Sequence, residues 1–172
     1  LVIHAPHSPM TTPSAPLPSA FATIADLIHQ HALTEPARRA LVECAGEGTR
    51  TLDYATLDAL MDRVAAALQR DGLQPGDAIA LCAATSVDYA AVYLGALRAG
   101  VVVAPLAPGS TPEALARMLA DAGARLLFTD AAGTDAFGAA GAGHVPRIAL
   151  DGSVAGQPLD TWLAAPGTQP AP

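Results

Sequence analysis

The chain has no lysine. All nine of its basic residues are arginine, which excludes a phosphate-loop lysine, a Schiff-base lysine and any catalytic ammonium within these residues. Aromatic side chains make up only 4% of the 172 positions, so a core must be built from Ala, Val, Leu and Ile. A domain of this length buries roughly two-thirds of its unfolded surface. Cysteine is scarce as well. Cys44 and Cys82 make neither a disulfide scaffold nor a zinc site, and the runs "ALVEC" and "AIALCAA" predict both thiols to be buried as small hydrophobes. This usage points to a reducing compartment, the cytoplasm. Positive charge is the minority sign, with 16 acidic residues and a formal net charge of −7. That balance argues against a nucleic-acid groove or an anionic membrane surface as partner. No basic residue precedes an apolar stretch in "LVIHAPHSPMTTPSAPLPSAF", so no secretory signal is read there. Residues 1–20 read instead as a leader rich in Pro and Ser.

Long apolar runs are also few, and one needs explaining. From Ala90 to Pro108 the only charged side chain is Arg98. A bilayer-spanning helix needs about 20 uninterrupted residues, whereas Gly100 and Pro105 divide this run in two. Thr85 and Asp88 have the spacing of a capping box. Tyr89, Val92, Tyr93, Ala96 and Leu97 follow at helical spacing, and Gly100 sits where a left-handed C-cap belongs. "VVVAPLAP" then reads as a short buried strand ended by prolines. The run is a helix feeding a parallel strand.

The same unit recurs. Thr23 and Asp26 open a helix with Ile24, Leu27, Ile28 and His31 on one face, and "ALVEC" and "TRTLDY" flank the turn-rich "AGEG" as a hairpin. Asp53 caps a helix with the stripe Leu57, Leu60, Met61, Val64, Ala65 and Leu68. After "QPGD" comes the apolar strand "AIALCAA". Ser110 and Glu113 open another helix, with Leu115, Met118, Leu119 and Ala122 inward, and "RLLFTD" is the next strand. Strands apolar on both faces, alternating with amphipathic helices, predict an α/β fold: a largely parallel, doubly wound sheet covered on both faces. Leu81, Val102 and Leu127 are expected to be almost fully buried in it. Beyond Asp130 one strand, "RIAL", and a short helix carrying Trp162 are predicted. The α/β unit is read over residues 21–164, and 165–172 as a linker.

No candidate chemistry emerges. "GTDAFGAAGAG" matches neither GxGxxG nor GxxxxGK[ST], lacks a following helix pattern and reads as a surface loop. His4 and His7 fall in the leader, His29 and His31 face different sides of a helix, and His144 begins a strand, so no metal site is assigned. Ser153 in "DGSVAG" is not a GxSxG nucleophile. No catalytic, cofactor-binding or metal residue is predicted in the chain.

Several short motifs keep a distinctive order. Tyr54 and Leu57 give "Y-x-x-L"; Gly72, Gly76 and Asp77 give "G-x-x-x-G-D"; Leu94, Gly95, Ala99 and Gly100 give "L-G-x-x-x-A-G". Pro105, Leu106 and Pro108 follow as "P-L-x-P", then Thr111, Ala114 and Leu115, and then Gly123, Ala124 and Arg125 as "G-A-R". Over about residues 21–130 this succession resembles the amino-terminal part of the adenylate-forming (AMP-binding) superfamily, which includes acyl- and aryl-CoA ligases, luciferases and peptide-synthetase adenylation domains. Glu113 stands one position before the family's usual acidic site.

The resemblance implies a parent enzyme that activates a carboxylic acid with ATP and magnesium to an acyl-adenylate and then passes the acyl group to CoA. The family's ATP-binding loop, S-[ST]-G-T-T-G-x-P-K-G, would be expected soon after "TQPAP". Its acidic metal motif, ribose-binding aspartate and late lysine have no counterpart here. Attack on the α-phosphate needs preorganised positive charge and backbone donors. The chain is therefore expected to be a scaffold piece, inactive alone, whose partner is the remainder of the enzyme. Where several CoA-forming relatives read N-P-R, this chain has Ala107, Pro108 and Gly109, which keeps loading of a carrier protein open as the alternative. A second alternative is a complete flavodoxin-like binding module, with its site at the Thr85–Ser86 and Ala107–Ser110 loops.

Overall fold

Five of the six helices among the described residues start at a side chain that accepts a backbone N–H group. A computed structural model describes residues 23–45, 48–138, 141–152 and 156–171. The leader with His4 and His7, the tip of the "AGEG" turn, and Ser153 lie outside the described residues. Thr23 caps α1 (Ile24–Thr34) in a reciprocal capping box with Asp26, and Asp53 caps α2 (Tyr54–Arg70) by accepting from Thr56. Between these helices, β1 (Arg39–Ala45) and β2 (Gly48–Asp53) pair antiparallel as a separate two-stranded ribbon.

Two caps fall one residue later than the spacing predicts. Ser86, not Thr85, caps α3 (Val87–Arg98) by accepting from Tyr89 N–H at 3.1 Å, while Asp88 turns away to Arg50. Thr111, not Ser110, caps α4 (Pro112–Asp121). Pro112 fits the first helical position and forces the residue before it into extended backbone, which makes Thr111 the cap.

The main sheet holds β3 (Ala78–Cys82), β4 (Val102–Pro105), β5 (Ala124–Thr129), β6 (Arg147–Ala149) and β7 (Gln157–Pro158) in the order β4-β3-β5-β6-β7, every pair parallel. Alternation along β3 explains why the strand is apolar throughout. Ile79 and Leu81 pack under α2 and α3 with Val64, Leu68, Val92 and Ala96. Ala80 and Cys82 point the other way, under Leu115 and Leu119 of α4 and Phe137 of α5 (Ala131–Phe137). Trp162, on the short α6 (Leu159–Trp162), meets Phe128 edge to face at 5.0 Å. A third cluster joins α1 to the body through Ala25, Ile28, Leu57, Met61, Val87 and Ala91.

Several inward-facing expectations are corrected. Leu81 and Leu127 are fully buried, but Val102 is 52% exposed and Val101 takes the buried place. The cause lies in how α3 ends. Gly100 N–H bonds to Leu97 O and Val101 N–H to Ala96 O at 2.9 Å, a Schellman closure that turns Val101 back against its own helix. Val102 then projects to the opposite face at an edge strand, where α4 and α5 lie over β3 and β5 and leave the rim bare. On α1 the buried residues are Ala25 and Ile28, while Ile24 and Leu27 are about half exposed. Met118 and Leu97 also sit at the edges of their helical stripes. The glycine-rich stretch after Asp130 is not wholly loop, because Asp130 caps α5 within it.

Gly100 has φ +70°, as the closure requires, and a Cβ there would stand 3.1 Å from the Pro75 side chain. Gly100→Ala is expected to cost about 1 kcal/mol or more. A denaturation midpoint equal to that of the parent chain would show this corner to be unstrained by a side chain.

Candidate functional site

In an open parallel sheet, ligands sit at the carboxyl ends of the strands where successive crossovers diverge. Here β3 leads through α3 to β4 on one side, and β4 returns through α4 to β5 on the other. The divergence lies between β3 and β5, and its occupant is Asp130. One carboxylate oxygen accepts from Ala84 N–H at 2.8 Å and the other from Gly133 N–H at 2.7 Å, so the residue ties the loop after β3 to the start of α5. Beneath it, the buried Thr129 hydroxyl donates to Cys82 O at 3.0 Å.

Carboxylates surround this crevice. Glu43 reaches from β1 to accept from Val87 N–H, at the start of α3, at 2.9 Å. Asp151 accepts from Ala131 N–H at 3.2 Å. Asp88 is held by both terminal nitrogens of Arg50 at 2.6 and 2.9 Å. Together with the 83–86 loop these groups enclose a cavity of about 280 Å³. The helix N-termini that would attract a phosphate are thus already supplied with protein oxygens. An incoming anion would meet four carboxylates and one arginine already engaged. These hydrogen bonds tie the loop after β3 to Asp130, the start of α3 to β1 and the start of α5 to the end of β5. A larger open groove, about 860 Å³, runs between Ala55, Ala59 and Arg63 on α2 and residues within 149–152 and 158–167.

Arg63, Arg70, Arg98 and Arg125 serve the fold. Arg98 is the hub: it donates to Asp58 Oδ1 at 2.5 Å, Asp58 O at 2.9 Å and Asp62 Oδ1 at 2.7 Å, and it reaches Ala25 O. One guanidinium thereby joins α1, α2 and α3. Arg125 donates to Asp77 Oδ2 at 2.7 Å and to Gly72 O. The Gln74 N–H and Arg125 hold the Asp77 carboxyl below the usual carboxylate range. Its stabilising effect is therefore present at neutral pH and is lost as pH falls through that lowered value. Arg63 and Arg70 donate to Ala164 O and Trp162 O, and Gln69 exchanges two hydrogen bonds with Ala171, so residues 162–171 run back along α2.

The histidines go separate ways. His29 Nδ1 lies 2.9 Å from Asp58 Oδ2, and His31 stacks on Tyr54. His144 is exposed in a turn before β6 and does not begin the strand, because pairing with β5 starts only at Arg147. Among the described residues, no group of three or more His, Cys, Asp or Glu is arranged to hold a metal, and no helix is long and apolar enough to cross a membrane.

The two cysteines differ sharply. Cys82 is buried in β3, and desolvation raises its thiol to about 11. Cys44, expected inside, is exposed, because its strand belongs to the two-stranded ribbon and not to the covered sheet. A thiol reagent at pH 8 is expected to label Cys44 quickly and Cys82 only after unfolding. Equal rates in the native state would contradict the burial of β3.

Sequence reasoning missed Asp130, Gly133 and the Arg98 partners. An aspartate directly after a strand and before "AAG" was the available N-cap signal, and an isolated arginine in an apolar run signalled a buried pair.

Comparison with known proteins places these features. A family model described as "AMP-binding enzyme" matches residues 28–167. The fatty acid–[acyl-carrier-protein] ligase ScoC of Streptomyces coeruleorubidus is 36% identical over 100 residues, which is 58% of this chain and 18% of that protein. The oxalate–CoA ligase of Arabidopsis thaliana is 34% identical over 112 residues, 64% of this chain and 21% of that protein. The crystal structure of the N-terminal domain of FACL13 from Mycobacterium tuberculosis superposes with a TM-score of 0.66 at 25% identity, covering 81% of this chain and 38% of that one. The chain thus spans about a fifth of the length of these two curated relatives.

Proposed function

Because the chain belongs to the AMP-binding enzyme family, we propose that it is the amino-terminal α/β part of an ATP-dependent carboxylic acid–CoA ligase. The family match across residues 28–167, laid over the parallel sheet, supports the adenylate-forming part of this reading, and the resemblance to an oxalate–CoA ligase supports CoA as the acceptor. In the parent reaction a carboxylate oxygen attacks the α-phosphorus of ATP, pyrophosphate leaves, and a thiol then displaces AMP from the acyl-adenylate. ATP, magnesium and CoA belong to that parent, which we place in the cytoplasm. The adenylation step, at the α-phosphorus, calls for positive charge aimed at the developing phosphate oxyanions. This chain has no lysine, and Arg50, Arg98 and Arg125 are committed to Asp88, Asp58, Asp62 and Asp77. Its contribution is the scaffold, with the cations supplied by the remainder of the enzyme.

A second acceptor, the thiol of a carrier protein, is favoured by one observation: ScoC, 36% identical over 100 residues, is a fatty acid–[acyl-carrier-protein] ligase. Gly109, exposed in the loop after β4, stands where several CoA-forming relatives carry an arginine.

Acid-dependent exchange of pyrophosphate into ATP tests the reading. The 172-residue chain alone is expected to stay at background with aliphatic and aromatic acids, while the parent enzyme exchanges. Reproducible exchange by the purified chain would overturn the scaffold assignment. Thioester formation by the parent with CoA, compared with a phosphopantetheinylated carrier protein, separates the two acceptors.

A further inference from the structure

We draw no further inference here: the strongest candidate, the open groove of about 860 Å³ between the exposed stripe of α2 and residues within 149–152 and 158–167, carries nothing, because nothing in the structure shows what covers it.

Discussion

Replacing Gly133 by alanine is expected to destabilise the chain by about 3 kcal/mol or more, the largest effect of a glycine-to-alanine change among the described residues. Gly133 lies in the first turn of α5, buried against the carboxyl end of β3. A Cβ there would fall 1.7 Å from Cys82 O and 2.5 Å from the Thr129 hydroxyl. The first of these is backbone in the central strand, so it cannot swing aside as a side-chain tip would. Either α5 lifts off, breaking the Asp130–Gly133 bond, or β3 shifts in its pairing with β5. For a domain of this size, about 3 kcal/mol lowers the melting temperature by roughly 6–12 °C. Gly109→Ala is the control: the added methyl meets nothing, and its melting temperature should match that of the parent chain. If Gly133→Ala melts within a degree or two of that control, α5 does not pack as described.

Arg98 should rank with it. Its side chain is 12% exposed and those of Asp58 and Asp62 are 13% exposed, so two carboxylates largely out of water share one guanidinium, with His29 a second partner of Asp58 only. Arg98→Met keeps the apolar stem and removes the charge. Leaving buried carboxylates without their partner is expected to cost about 3–5 kcal/mol. Adding Asp58→Asn and Asp62→Asn to that variant should restore much of the loss, because the deficit comes from the uncompensated charges. An Arg98→Met variant unfolding at the parent's denaturant midpoint would contradict the hub. A triple variant no more stable than the single one would assign the cost to packing instead of charge. Since Arg98 also reaches Ala25 O, α1 is expected to lose its amide-exchange protection first.

The parallel sheet was legible because its strands are apolar on both faces. Residues such as Ile79 and Ala80, adjacent in sequence and buried on opposite sides, leave no polar face to turn to solvent. Helix ends were legible wherever glycine stood in a left-handed corner, as at Gly72, Gly100 and Gly123. The errors have local causes. Composition could not tell Val101 from Val102, since three successive valines carry no phase. The phase comes from the closure of α3 on Gly100. Cys44 follows an apolar stretch broken only by Glu43, and its strand joins a ribbon that no second layer covers on that side. The crevice at Asp130 depends on a contact between residues 46 positions apart in sequence, and no spacing rule reads such a pair.

The strand order also bears on how the chain emerges from the ribosome. Ala78 pairs with both Val102 and Ala124, so β3 acquires a neighbour on each edge at different times. The second closure encloses about twice as much chain as the first, an entropic difference of only about 0.6 kcal/mol. Elapsed time separates the two events more than free energy does. Translation at about 5–20 residues per second puts roughly 1–5 s between the end of β4 and the end of β5. During that interval the apolar "AIALC" strand has a partner on one edge only, and it is then that a chaperone or a neighbouring nascent chain competes with β5 for the other.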